Sequence, residues 1–225
     1  MEVRKKNKYK KLASWLLVDL AVASIIFSLL LYKPTGYGPL GVNSAGQKPG
    51  RVHPYLTHLS SELYNGAQRG KPFELVVIEE QINETIGRSE WPKESEGVTF
   101  SAPVVFFVPE NVVLMGTANI KGAEFIVTIV LEPRVDQQGL LNLQVAKVKI
   151  GAMNITPLAK MIAKKMYQHR LATEPIDIED LRTKIAGSLL SDEPFEAVFK
   201  VDDKKVQVEK VTVTQGKLIL RLIPA

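Results

Sequence analysis

Hydrophobic and polar positions follow different patterns in the two parts of this sequence. Residues 12–32, LASWLLVDLAVASIIFSLLLY, form a run of 21 residues with a single ionisable side chain, Asp19. About 20 apolar residues are needed to cross a bilayer core. Six basic residues precede the run and Lys33 follows it, and this asymmetry favours a cytoplasmic N-terminus. The pattern therefore predicts a transmembrane helix at 12–32.

A cleaved signal peptide is the main alternative for this segment. Such peptides have an apolar region of about 7–15 residues, followed directly by a cleavage site with small residues. Here the apolar run is longer and Lys33-Pro34 comes next, so we expect an uncleaved anchor. Asp19 is costly in a membrane, and it could mark a partner helix, reach the headgroups or stay protonated.

Composition changes again after the apolar run. Gly and Pro recur throughout residues 33–53, which is typical of a flexible spacer. The sequence thus predicts four segments: a cytoplasmic basic tail at 1–11, the transmembrane helix at 12–32, the spacer at 33–53, and an extracytoplasmic α+β domain at 54–225.

Helical and strand periodicities alternate in residues 54–225. Apolar residues at helical spacing predict helices at 54–65 (ending at Gly66), 78–87, from Thr156 onward with Thr156 as N-cap, and at 177–190 with Asp177 as cap. Runs of β-forming residues predict strands at 97–108, 110–120, 123–133, 140–151, 194–201, 204–213 and 216–223.

The alternation of apolar positions slips by one residue at two places. These lie near Ala146-Lys147 and near Glu209-Lys210, and a one-residue slip turns the side chains to the other face unless a β-bulge absorbs it. Bulged strands curve. The predicted fold class is therefore α+β: an N-terminal transmembrane helix, then a curved antiparallel β-sheet wrapped around several amphipathic helices.

The net charge of +5 belongs to the N-terminal segment. Residues 1–33 hold seven of the 29 basic residues and two of the 24 acidic residues, so 34–225 hold 22 of each. The basic pI therefore gives no reason to expect nucleic-acid binding. Cys is absent from the sequence, which excludes disulfides, thiolate metal sites and a cysteine nucleophile.

Catalytic motifs are not found in this sequence. His53 and His58 are five residues apart and do not share a helical face, so we expect surface positions rather than a metal site. Glu79, Glu80 and Glu84 fit the solvated face and the first turn of a helix better than an acid–base set. We predict no enzyme activity, no cofactor and no metal. Asn83 has two interpretations: it bonds to the backbone of a neighbouring strand, or it lines a binding cleft.

Two sets of residues are candidates for binding. Strands with apolar side chains on both faces suggest a groove for an apolar ligand, although the same side chains could pack into a closed core. The candidate lining residues are Val104, Phe106, Phe125, Val127, Ile129, Leu131 and Met161. The basic flank of the predicted third helix is either ordinary solvated surface near a helix C-terminus or a contact for anionic lipid headgroups. Its residues are Lys160, Lys164, Lys165 and Arg170.

Several strings in the chain carry a family resemblance. They are EEQIN at 79–83, NVVLMGTANIKGAEFIVTIVLEPRVDQQGLLNLQVAKVKIG at 111–151, and VQVEKVTVTQGKLILRLIP at 206–224. With the basic tail and the single predicted span, residues 72–225 resemble the YpmS-like family of bacterial membrane-anchored proteins. The resemblance implies a curved sheet similar to that of tubular lipid-binding proteins, no established enzyme activity, and a lipid-binding role. It supplies no functional residues.

The expected function combines these observations. We expect a single-pass protein of the bacterial plasma membrane, whose extracytoplasmic domain binds a lipid or another apolar envelope ligand without catalysis. The alternative is a tethered structural or adaptor protein of a cell-envelope complex, paired through its anchor or its sheet edge, which Asp19 and the long spacer would fit. An enzyme acting on envelope polymers would need a nucleophile arrangement that the sequence lacks.

Overall fold

The computed structural model of the chain describes residues 2–34, 36–38, 54–89, 91–95, 97–173 and 180–225. At 2–14 and 170–173 the description covers the helical backbone only. The predicted site residue Arg170 and the predicted cap Asp177 lie outside the described side chains, as does His53.

Five helices and twelve strands occur within the described residues. The helices are α1 (Glu2–Leu30), α2 (Pro54–Gln68), α3 (Glu79–Gly87), α4 (Thr156–Thr173) and α5 (Leu181–Ser191). The strands are β1 (Phe73–Ile78), β2 (Lys93–Ser95), β3 (Val98–Phe100), β4 (Val104–Val108), β5 (Asn111–Ile120), β6 (Ala123–Val135), β7 (Leu140–Ile150), β8 (Met153–Asn154), β9 (Phe195–Glu196), β10 (Val198–Val201), β11 (Lys204–Thr214) and β12 (Lys217–Pro224).

The strands form two antiparallel sheets. The smaller sheet has four strands in the order β1-β12-β11-β10, and the larger has eight, with the path β2-β3-β5-β6-β7-β8 plus β4 beside β5 and β9 beside β7. The predicted α+β class with antiparallel pairing is confirmed. The described strands divide between two sheets, however, and they do not show the single sheet wrapped around helices that was predicted.

Both predicted β-bulges are present. In the larger sheet Val130 pairs with Lys147 and Leu131 with Val145, so Ala146 is the extra residue of β7. In the smaller sheet Val208 pairs with Leu222 and Lys210 with Arg221, which leaves Glu209 as the extra residue of β11. The slips in the apolar pattern are thus absorbed by single unpaired residues, as expected from the physics of register.

Two hydrophobic clusters hold the helices and sheets together. The first packs α2 and α5 against the smaller sheet, and its most buried member, Leu222, has no exposed surface. The second brings Val213 of the smaller sheet together with Val105 and Phe107 of β4, and Ile82 of α3 packs against it. The second cluster therefore joins the two sheets through an edge strand of the larger one.

Two predicted helix boundaries differ from the structure. Gly66 does not end α2, because the helix continues to Gln68 and Gly70 takes the left-handed conformation at φ +63. Thr156 starts α4, but its hydroxyl accepts a hydrogen bond from the Val148 amide at 2.8 Å instead of capping the helix. The amide of Thr156 donates to Asn154 Oδ1 at 3.0 Å.

The C-terminal end of helix α1 and the residues just after it contact the larger sheet and the turn before β8. The Ala152 amide donates to the Leu29 carbonyl at 2.8 Å, Lys33 pairs with Glu124 at 2.9 Å, and the Tyr37 and Thr117 hydroxyls are 2.9 Å apart. The described start of the predicted spacer therefore contacts the larger sheet.

The length and hydropathy of the helices bear on the predicted membrane span. No helix in the part of the chain that the structure describes is at once long enough and apolar enough to traverse a membrane. The transmembrane helix predicted at 12–32 is therefore not confirmed.

Candidate functional site

An apolar cavity of about 530 Å³ lies on the larger sheet, where β5 and β6 meet the β2–β3 pair. Its volume falls in the range of about 300–1,000 Å³ that is usual for small-molecule sites. The lining residues are Trp91, Lys93, Glu94, Ser95, Phe100, Ser101, Pro103, Leu114, Met115, Gly116, Thr117, Ala118, Val127 and Ile129.

The register of β5 and β6 builds the floor of the cavity. Leu114 pairs with Ile129 and Gly116 pairs with Val127, and directly paired residues point to the same face of a sheet. A Cβ atom added at Gly116 would meet nothing closer than Pro103 Cα at 3.9 Å. The space above the floor therefore exists because Gly116 and Ala118 are small at positions where larger strand residues would fill it.

Trp91 and Lys93 lie at the wall formed by β2 and the segment before it. The Lys93 ammonium is 5.0 Å from the centroid of the Trp91 ring, which is within reach of a cation–π interaction. The indole Nε1 of Trp91 is buried, and it has no hydrogen-bond acceptor among the described residues. Because this nitrogen has almost no accessible surface, the Trp91 ring contributes apolar contact to the wall and not a hydrogen-bond donor.

Polar groups in the wall are engaged in holding the fold. The Thr117 amide donates to Ser101 Oγ at 3.0 Å, and the Thr117 hydroxyl is bonded to Tyr37. Neither His nor Cys lines the cavity among its described residues. The arrangement offers apolar contact and a small number of polar groups, a composition that is common in small-molecule sites.

The seven predicted lining residues lie in four different places. Val127 and Ile129 line the cavity, whereas Phe125 and Leu131 share their face of β6 but lie outside it. Val104 and Phe106 pair with Met115 and Val113 of β5 and do not line the cavity, although Met115 does. Met161 lies on α4 with 52% of its surface exposed.

Sequence reasoning missed four of the residues that shape the cavity: Trp91, Phe100, Gly116 and Ala118. A search for large apolar side chains passes over Gly and Ala, although small residues on a strand face are what leave a space. Trp91 belongs to a segment with little strand pattern, and β2 beside it is only three residues long. The one sequence feature that could have indicated Trp91 is an aromatic residue followed directly by Pro92 and Lys93.

The predicted headgroup contacts on α4 have different surroundings. Lys160 forms an ion pair with Asp192 at 2.9 Å, which connects α4 to the end of α5. Lys164 and Lys165 are exposed. Tyr167 is buried, and this burial, followed by the negative charge of Glu193, raises the pKa of its phenol.

Asn83 has the structural role that one of its interpretations predicted. Its Nδ2 donates to the Val105 carbonyl and its Oδ1 accepts from the Val105 amide, each at 2.7 Å. Glu79 of the same helix accepts from the Phe107 amide at 2.6 Å. These side chains of α3 satisfy the outer edge of β4, so that Asn83 and Glu79 hold the scaffold.

Other candidates for chemistry stay separate in space. His58 is exposed and lies 3.7 Å from Glu62, one turn further along α2. Within the described ranges, no group of three or more His, Asp or Glu side chains could hold a metal ion.

Comparisons with known proteins give no relative for this chain. No protein-family model, no curated protein and no solved structure matches it. The resemblance to the YpmS-like family therefore stays a prediction from the quoted strings.

Proposed function

We propose that this protein binds the apolar chain of a lipid in the cavity on its larger sheet, without catalysis, while it is held at a membrane. The observation that carries the proposal is the cavity itself: about 530 Å³, with Leu114, Val127 and Ile129 along its floor. Burial of an apolar chain against such walls is favourable by about 25 cal/mol for each Å² removed from water.

The polar groups at the wall refine the class of ligand. Lys93 and Ser95 in the wall could donate hydrogen bonds to an ester, carboxyl or amide oxygen next to the apolar chain. Lys93 and Glu94 both line the cavity, so the charges at this wall are balanced. We therefore expect selection for an apolar chain with an adjacent oxygen, and little selection for net charge.

The membrane part of the proposal rests on α1. Its described side chains include an extensive set of exposed large apolar residues, among them Leu16, Leu20 and Phe27. Exposed apolar surface of this extent marks an interaction site, and a lipid phase is the partner that a largely apolar surface, interrupted by Asp19, Ser24 and Ser28, fits best. The basic residues before it favour a cytoplasmic N-terminus, which would place the domain outside a bacterial plasma membrane.

Tryptophan fluorescence offers a direct test of the cavity. The chain has two Trp residues, so a Trp15→Phe variant leaves Trp91 as the only one. This full-length variant in phosphatidylcholine nanodiscs is titrated with stearic acid and with stearic acid brominated at mid-chain, since bromine quenches a nearby indole. We expect saturable quenching of Trp91 by the brominated acid alone.

Substitutions at Gly116 provide the matched control. Gly116→Leu fills the floor of the cavity, and we expect it to abolish the saturable quenching. Gly116→Ala adds one methyl group where the nearest atom is 3.9 Å away, and it should bind as the parent does. Equal quenching in the Leu and Ala variants would refute the lipid-binding proposal and would favour the adaptor hypothesis.

A further inference from the structure

Helix α4 presents its apolar residues to solvent. Met161 was predicted to line a groove, but it is 52% exposed, and Met166 is 67%, Leu158 51% and Ile162 46% exposed. The helix packs against the domain through its other side, where Tyr167 is buried and Ala159 and Ala163 are partly buried. We call the four exposed apolar side chains the outward face of α4.

The small residues on the inner side explain this orientation. A Cβ atom at Gly187 of α5 would lie only 2.9 Å from the Tyr167 hydroxyl, so the two helices approach closely at this point. The Lys160–Asp192 ion pair at 2.9 Å adds a second contact between α4 and the end of α5. Because the inner side of α4 is fixed in this way, the helix would have to detach to bury its outward face within the domain.

The charge of α4 indicates which partner the outward face fits. The segment TPLAKMIAKKMYQHRLAT contains Lys160, Lys164, Lys165 and Arg170 and has no acidic residue, although the chain after residue 33 is neutral as a whole. An amphipathic helix with apolar residues on one side and lysines beside them is typical of helices that lie in the plane of an anionic membrane surface.

The position of α4 fits the same partner. The Leu29 carbonyl near the end of α1 accepts a hydrogen bond from Ala152, four residues before α4 begins. A membrane that receives the exposed apolar surface of α1 would thus lie close to the start of α4. A soluble protein partner would not require this closeness.

We propose that α4 lies in the headgroup region of the same membrane, with Leu158, Met161, Ile162 and Met166 in the acyl boundary and Lys164 and Lys165 at anionic headgroups. This inference rests on the membrane association proposed for α1. It adds a second contact that would fix how the domain sits on the bilayer, where α1 alone would leave it free to tilt.

Labels at single cysteines test this inference, because the native chain has no Cys. Met166→Cys, Val22→Cys in α1 and Lys210→Cys on β11 are each labelled with an environment-sensitive fluorophore. The full-length variants are placed in vesicles of phosphatidylglycerol and phosphatidylcholine, with and without lipids that carry a doxyl quencher at shallow depth, for Met166, or near the bilayer centre, for Val22. We expect a blue shift and quenching at Met166 and Val22, and neither at Lys210.

The possible results distinguish the inference about α4 from the proposed membrane association of α1. Quenching at Val22 without quenching at Met166 would overturn the α4 inference and leave membrane association by α1 intact. Absence of quenching at both positions would overturn both. The label at Met166 could instead show a blue shift that increases with protein concentration and does not change when the quencher lipid is added. This result would assign the outward face to a second copy of the chain and would contradict the inference.

A charge reversal gives an independent readout. Lys164→Glu combined with Lys165→Glu places negative charge beside anionic headgroups, and we expect it to remove most of the quenching at Met166 while the quenching at Val22 persists. The matched reversal, Lys204→Glu with Lys205→Glu at the exposed start of β11, should leave both unchanged. If the α4 reversal had no effect, the headgroup contact would be wrong.

Discussion

Asn83 ties α3 to the outer edge of the larger sheet. Its side chain is 9% exposed and forms both hydrogen bonds available to Val105 at that edge. Removing it leaves a buried amide and a buried carbonyl without partners, and each such loss costs about 1–3 kcal/mol.

We predict that Asn83→Ala lowers the free energy of unfolding by at least about 1–3 kcal/mol, measured by urea denaturation. Thr85→Ala on the same helix removes only an exposed hydrogen bond to Gln81. This substitution should change the free energy of unfolding by less than about 0.5 kcal/mol. Equal effects of the two substitutions would show that the bonds of Asn83 contribute little.

Gly66 is a packing residue within α2. A Cβ atom there would lie 2.3 Å from the ring of Phe73, which is part of the first hydrophobic cluster. Alanine favours a helix by about 1 kcal/mol over glycine, but overpacking a core costs about 1–3 kcal/mol. We predict that Gly66→Ala lowers the melting temperature in a thermal unfolding scan.

Gly116→Ala is the matched control for this prediction. The same methyl group makes only an ordinary van der Waals contact at Gly116, with Pro103 Cα at 3.9 Å, so it should not lower the melting temperature. A Gly66→Ala protein as stable as its parent would mean that Phe73 can move aside at little cost.

At the scale of single residues, sequence reasoning succeeded where a periodic pattern contains the information. The bulges at Ala146 and Glu209 follow from the slip in alternation, and the two hydrogen bonds of Asn83 agree with its place at the edge of an apolar stripe. Gly66 was misassigned as a helix end because glycine at a close approach and glycine at a helix end look alike in sequence.

At the scale of elements, the contact between α1 and the larger sheet depends on Gly151. This glycine has φ +57, and a Cβ atom there would lie 2.4 Å from the Leu29 carbonyl oxygen and 2.5 Å from that of Leu30. Any side chain would separate the end of α1 from the turn that precedes β8. The glycine therefore permits the hydrogen bond from Ala152 to Leu29.

We predict that Gly151→Ala speeds hydrogen exchange at the Ala152 amide in the full-length protein, because its acceptor is displaced. Gly122→Ala is the control: Gly122 has φ +88 and nothing within 4 Å, so alanine there brings backbone strain without a collision. Unchanged exchange at Ala152 in the Gly151→Ala protein would contradict the proposed close contact.

Elements were easier to predict than their orientations. The existence of α2, α3 and α4 follows from apolar spacing, but the side of α4 that faces the domain is set by Tyr167, which lies against Gly187 of α5. Periodicity identifies an apolar stripe and does not state what the stripe contacts. For the same reason the predicted lining residue Met161 proved to be a surface residue.

At the scale of the whole molecule, the two sheets explain why the cavity lies at one end of the larger sheet. The second hydrophobic cluster fills the face near Val105 and Phe107, where β11 of the smaller sheet packs against it. The cavity begins further along β5, at Gly116 and Ala118. The division into two sheets could not be read from sequence, because strand pairing between distant segments leaves no local signal.

Native mass spectrometry of the full-length protein, released from nanodiscs of bacterial lipid extract, tests the central claim most directly. Lipids around α1 should be retained equally by all variants, so the informative quantity is the difference between the wild-type protein and Gly116→Leu. We predict one additional lipid on the wild-type protein and on Gly116→Ala, identified by extraction, and its loss from Gly116→Leu. The same lipid count in all three proteins would contradict a lipid-binding cavity on the larger sheet.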